Sequence, residues 1–322
     1  MTSTPSPTSR IHGCLLGAAA SEAAVLAGGA AGTGPGNGAL HLGAAGQLSF
    51  YTADALVEVL EWANAGVYAD QTACVWLAYL RWAEAQGVAL PASAPSAPPR
   101  WIDTQPATNH QLPVRPSWVA SLAGGEMGTQ ARPLGAAYDD GAAAARSAAF
   151  GLVVGTPADA VAAMALDGAH LTHGHPSAVQ AAAALALVVR ELAAGGSLRS
   201  AIETSSSVQA ASRNPAADVA NALEGALTGR HGGEPRSPAA RALGAALEAA
   251  LDAESEAEDG RFQAAVDRAG AVGPDAAAMT GALLGALWGA DAVPEEWARR
   301  LEGSDIAAEL AATLARASGA EE

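Results

Sequence analysis

The groups best suited to chemistry in this 322-residue chain are acids and histidines. Thr172-His173-Gly174-His175-Pro176 places two imidazoles close together, directly ahead of a proline. An imidazole titrates near neutral pH, so either ring could donate a hydrogen bond to a ligand hydroxyl or act as a general acid. The competing reading has the segment end a loop and cap the helix that Pro176 opens, because proline suits the first helical position. Asp139 and Asp140 are an adjacent acid pair, and like charges a few Å apart cost on the order of 1 kcal/mol in water and several in a cleft. Asp54, Glu58 and Glu61 fall at i, i+4 and i+7 of one helical pattern, a stripe that a solvated face explains better than a carboxylate site. Cys14 and Cys74 lie far apart without C-x-x-C or zinc spacing, so no disulfide framework is implied and a reducing cytoplasm is expected.

The elements that must position these groups are helices. Hydrophobic residues make up 50% of the chain, but they are mostly alanine and leucine with few aromatics, which favours helix over strand. The spacing predicts helices over 10–26 and 52–64, and a third carrying Thr72, Val75, Trp76, Tyr79 and Leu80 on one face that ends near Gly87. Glycine marks 28–38 as a loop, Pro and Ser mark 88–100 as another, and 101–116 reads as irregular chain. From Asp159 onward helix follows helix, with breaks at Gly195-Gly196, at Asn214-Pro215 and across 230–237. Two helices, 176–189 and 276–288, are apolar all round and are expected at the centre of the bundle. No internal repeat or linker divides the chain, so one all-α domain is expected over 10–317, between disordered tails at 1–9 and 318–322.

Formal charge is −16, and every basic residue other than histidine is arginine. An acidic surface repels phosphate backbones and anionic lipids, which argues against nucleic-acid or membrane-surface partners. The first nine residues lack the basic head and apolar run of a secretory signal, and no uncharged apolar run reaches the roughly 18 residues a bilayer requires. A soluble, cytoplasmic protein is the expectation.

Several segments, in order, resemble the ADP-ribosylglycohydrolase family. Arg10-Ile11-His12-Gly13-Cys14-Leu15-Leu16-Gly17-Ala18-Ala19 is similar to its opening R-x-x-G-x-L-x-G-x-A. Tyr79-Leu80-Arg81-Trp82 with Gln86-Gly87 resembles its A-Y-x-R-W-x-x-T-Q-G. Ser121-Leu122 to Glu126-Met127-Gly128-Thr129 resembles S-A-L-x-x-G-x-M-G-T, and Arg146-Ser147-Ala148-Ala149-Phe150-Gly151-Leu152 resembles M-R-x-A-P-x-G-L. Thr172 to Pro176 is similar to T-H-x-H-P, while Gly281 to Ala286 with Pro294-Glu295-Glu296-Trp297 is similar to the closing helix and P-x-x-W. The resemblance spans nearly the whole chain and implies the family's all-α, single-domain orthogonal helical bundle.

It also implies two magnesium ions beside a ribose, and here the chain departs from the pattern. Where the family has the T-D-D-T of its first metal segment, this chain has Gly43, Ala44, Ala45 and Gly46, which offer no side-chain oxygen to a cation that wants oxygen ligands. The later D-x-D-[ST] segment is Gly273-Pro274-Asp275-Ala276, so Asp275 is the one carboxylate kept there, and it could equally serve the terminus of the following helix. The expectation is therefore no metal site and no cofactor.

Arg115-Pro116-Ser117 replaces the family's G-N-T near the ribose, and Ala137-Tyr138-Asp139-Asp140-Gly141-Ala142 replaces a glycine-rich loop whose amides would cradle a pyrophosphate. Glu22 stands at the family's G-D-A aspartate, with pairing to an arginine such as Arg146 as its structural alternative. His110 matches a family histidine without a role following from it.

Three readings follow in order of preference. The first is a diverged, non-catalytic relative that binds a neutral or cationic ribosyl or nucleoside-like ligand, or a protein partner, without metal-dependent hydrolysis. The second is a metal-independent N-ribosyl hydrolase drawing its carboxylates from Glu22, Asp139, Asp140 and Asp275. The third is ordinary magnesium-dependent removal of ADP-ribose from proteins. His173, His175, Arg146, Tyr138 and Ser117 are the expected ligand-binding residues.

Overall fold

The computed structural model describes residues 4–28, 38–229 and 237–320, so most of the two loops expected at 28–38 and 230–237 lies outside the described residues. Among the described residues the architecture is helical throughout, with one continuous apolar core and no strand beyond a single parallel bridge between Leu40 and Leu301. The helices are α1 (Pro7–Leu26), α2 (Ala44–Asn64), α3 (Gln71–Ala85), α4 (Pro106–Asn109), α5 (Ala142–Ser147), α6 (Ala158–His170) and α7 (Pro176–Ala193). They continue with α8 (Leu198–Ala210), α9 (Ala217–Thr228), α10 (Pro238–Glu254), α11 (Arg261–Gly270), α12 (Pro274–Trp288), α13 (Glu295–Arg300) and α14 (Ser304–Ala317).

The two uncharged helices are central, as their composition requires. Helix α7 is long and apolar enough to cross a bilayer, yet 78% of it is buried inside the protein. Helix α12 packs along α1 at backbone distance: a Cβ on Gly285 would stand 1.9 Å from the Gly13 carbonyl oxygen, and one on Gly17 would stand 2.3 Å from that of Gly281. Only glycine permits so close an approach. Arg10 ties the same pair together by donating to the carbonyls of Ala286 (2.9 Å) and Leu287 (2.7 Å), where a cation suits the end of α12.

Two helices start earlier than their patterns indicate. Pro7 to Ser9, expected in a tail, form the first turn of α1, because the Ser6 hydroxyl accepts the Ser9 N–H at 3.2 Å and Pro7 needs no N–H partner. Helix α2 starts at Ala44 rather than near Thr52, and its N-cap Gly43 supplies no side-chain hydrogen bond. Its free amides are instead met from α1, as described below.

The acidic stripe on α2 is solvated only at its far end, where Glu61 is 56% exposed. Asp54 is 3% exposed and accepts from Arg100 Nε at 2.6 Å, and the same guanidinium lies 3.9 Å from Glu58 and 3.6 Å from Glu61. The stripe thus clasps the Pro-rich segment before Trp101 onto the helix.

Candidate functional site

A cleft of about 890 Å³ opens beside the start of α2. Helix α1 brings Glu22 to it, the turn ahead of α5 brings Asp140, and the first turn of α12 brings Asp275, so these three carboxylates line one cavity. The Leu40–Leu301 bridge sets His41 and Glu302 on the rim, where they pair at 2.9 Å. His110 lines the cleft beside them, its ring edge-on to that of His41 with 5.8 Å between centroids. Buried Gln47 and Gln86 fix His110 by donating to its carbonyl at 3.2 and 3.0 Å, while Trp82 Nε1 donates to Gln47 at 2.7 Å. Ser117 and Trp118 complete the polar and aromatic wall, and Leu26, Leu112 and Val114 make the rest largely apolar.

Glu22 is 3% exposed, and its two oxygens accept the Ala45 N–H at 2.9 Å and the Gly46 N–H at 2.7 Å. A carboxylate at a helix N-terminus is stabilising, so α1 supplies the cap that α2 lacks. Burial nevertheless pushes the Glu22 pKa up to about 7, against the pull of the Gly46, Ala45 and Gly43 amides. Arg146 is not its partner.

Asp275 sits in the first turn of α12, with Gly273 as the N-cap. Burial, and then the negative charges of Asp140 and Glu22, raise its pKa to about 7, with Arg146 and the Gly141 amide opposing. Asp140 behaves differently. Burial works against its charge, but the His173 hydrogen bond and charge, the Ala142 amide and Arg146 together hold it below the usual carboxylate range.

Behind Asp140 runs a buried polar chain. Arg146, 1% exposed, donates from Nε to the Tyr79 hydroxyl at 3.0 Å and from Nη2 to Thr172 Oγ1 at 2.5 Å. Thr172 Oγ1 lies 2.7 Å from His173 Nδ1, and His173 Nε2 lies 3.0 Å from Asp140 Oδ1. His173 is fully buried, and burial first of all lowers its pKa, so the ring is neutral near pH 7. Arg146 also lies over the rings of Tyr79 and Trp118, at 5.2 and 5.5 Å from their centroids.

The other expected site residues are placed elsewhere. His175 is the N-cap of α7, accepting the Ser177 N–H at 3.3 Å, and it does not line the cleft. Asp139 accepts the Ala239 N–H through its main-chain oxygen at 2.9 Å and also lies outside the lining. Tyr138 donates to the Ser117 carbonyl at 2.9 Å and stands edge-on to His173. Reasoning from sequence missed His41, Trp118 and Glu302, which only long-range packing brings to the cleft, and gave His110 no role.

The residues present do not fit a pair of magnesium ions. Positions 43–46 carry no side-chain oxygen, both Glu22 oxygens are taken by amides, and Asp140 Oδ1 is taken by His173 and Ala142. Among the described residues no group of three or more His, Cys, Asp or Glu side chains is arranged to hold a metal ion.

Residues 3–322 match the ADP-ribosylglycohydrolase family. No curated protein matches the chain significantly. Of the solved structures, one described as an ADP-ribosylglycohydrolase-related protein complex is similar, with a TM-score of 0.65 and 20% identity over 97% of this chain and 99% of that one. Identity at that level speaks for the fold alone.

Proposed function

The chain belongs to the ADP-ribosylglycohydrolase family, and from that premise we propose that its cleft binds a neutral or cationic ribosyl or nucleoside-like ligand without a divalent cation. One observation carries this reading: Glu22, Asp140, Asp275 and Glu302 line the cleft, and among the described residues no arginine does. A diphosphate entering there would meet the negative charge of Asp140, which is held ionised, whereas a ribose hydroxyl would meet acceptors and a cationic ring an opposite charge. The free cysteines fit a reducing cytoplasm.

A second reading, cleavage of an N-ribosyl bond without metal, is favoured by the contrast between two carboxyl groups. Asp140 is held ionised while Asp275 keeps its proton up to about pH 7. Such a separated pair can divide the work between stabilising an oxocarbenium-like state and protonating the leaving nitrogen. A protein partner on the same cleft is the remaining alternative.

Melting curves of metal-free protein test the binding reading, because a ligand of the native state raises stability by about 2.7 kcal/mol at a hundred times its Kd. Nicotinamide riboside or adenosine is expected to raise Tm, and ADP-ribose and magnesium are not. Stabilisation by ADP-ribose only when magnesium is present would overturn it. Release of adenine from adenosine, lost in Asp275→Asn, would select the second reading.

A further inference from the structure

We propose that Arg146 drives a one-way hydrogen-bond relay through Thr172 and His173, fixing the cleft-facing oxygen of Asp140 as an acceptor, so that any ligand must present a hydrogen-bond donor there. The ligand half of this inference rests on the cleft being the binding site; the relay half does not.

The direction follows from the donor inventory. A guanidinium only donates, so Thr172 Oγ1 must accept from Arg146 Nη2 across their 2.5 Å contact. The hydroxyl has one hydrogen, and the 2.7 Å contact to His173 Nδ1 is where it goes. A neutral ring that accepts at Nδ1 carries its proton on Nε2, and that N–H donates to Asp140 Oδ1 at 3.0 Å. Reversing the middle bond would point an imidazole lone pair at a carboxylate oxygen or require an imidazolium. Burial and the positive charge of Arg146 oppose the imidazolium, with only Asp140 and Asp139 favouring it, and the Trp118 and Tyr138 rings that face the histidine carry no charge.

The same chain answers a question of charge. Arg146 is buried to 1% exposure, and among the described residues no carboxylate lies within ion-pair distance of it. A buried cation of that kind needs compensation. The relay delivers it by ending on Asp140, whose side chain is 39% exposed. Both hydrogen bonds to Asp140, from His173 and from the Ala142 N–H at 3.0 Å, fall on Oδ1. That leaves Oδ2 for the cleft that Asp140 lines. A ribose hydroxyl or a protonated nitrogen satisfies it; a phosphate oxygen cannot.

Nitrogen-15 shifts of the His173 ring test the relay without any ligand. The wild-type ring is expected as the Nε2–H tautomer at about pH 7 and above, where its lowered pKa leaves it neutral. Thr172→Val should keep the tautomer, because Asp140 still accepts from Nε2, but should move the Nδ1 shift to that of an unbonded lone pair, and Thr172→Ser should reverse that move. An Nδ1–H ring or an imidazolium in the wild type, or an Nδ1 shift unmoved in Thr172→Val, would overturn the relay.

Asp140→Asn covers the case in which Thr172→Val does not fold. It keeps an oxygen facing His173 and Ala142 but turns the cleft-facing atom into a donor. The ring should stay Nε2–H, while nicotinamide riboside should bind at least about tenfold more weakly, the size expected for losing one charged hydrogen bond. Undiminished binding by Asp140→Asn would sink the ligand half. A wild-type protein that ignores the riboside while its ring is Nε2–H would refute the binding reading and uphold the relay.

Discussion

A Cβ on Gly43 would stand 2.4 Å from the Cδ of Glu22, so the bare glycine is what lets the glutamate reach the start of α2. The constraint is steric rather than conformational, because Gly43 has a φ of −79° that any residue adopts. The chain has exchanged a side chain at the head of α2 for a carboxylate delivered from α1. That carboxylate spends both oxygens on amides.

Gly43→Ala is therefore expected to destabilise the fold by about 1–3 kcal/mol, the usual range for an extra methyl in a packed site. Urea unfolding measures it directly. A wild-type midpoint would show that Glu22 has room to move aside.

Stability should fall as pH rises through neutrality. The pKa of Glu22 is raised from 4.5 and that of Asp275 from 3.8, each to about 7, so the folded chain keeps protons that the unfolded chain releases in that window. Their contribution is full below about pH 4 and is lost as pH climbs through about 7. Asp140 and Asp218 are held low and act oppositely, losing their contribution only as pH drops through their folded values. The lowered pKa values of His12, His170 and His173 oppose this below about pH 6.5, so Tm should decline from about pH 6.5 to about pH 8, and Asp275→Asn should flatten the decline. A wild-type curve that rises over this range would contradict the assignment.

Arg100→Ala should cost about 3 kcal/mol, since it strands the buried carboxylate of Asp54 without its partner. Removing both charges together, as Arg100→Met with Asp54→Leu, should recover most of the loss. The comparison is a pair of denaturation midpoints, and a double variant no better than the single one would mean the clasp holds the segment by packing rather than by charge.

The sequence spoke most clearly where its signals were local. Pro176 opening an uncharged run marked α7, and Ala276 to Trp288 marked α12. The start of α2 was not legible, because its cap is Glu22, 23 residues away from Ala45. Arg100 could not be joined to Asp54 for the same reason, as 46 residues separate them. The Ser6-Pro7 cap of α1 was written locally, but a Ser, Thr and Pro-rich run reads first as tail. At the cleft, the family pattern pointed to Glu22, Asp140 and Asp275. His41 and Glu302, 261 residues apart, meet only through the Leu40–Leu301 bridge.

If this cleft works without a divalent cation, crystals soaked in magnesium will show no octahedral ion beside Glu22, Asp140 and Asp275, and the oxygens of Glu22 and Asp140 will keep their amide and histidine partners. A magnesium ion seated there with ligand distances near 2.1 Å, with Glu22 drawn away from Ala45 and Gly46, would contradict that cation-free function.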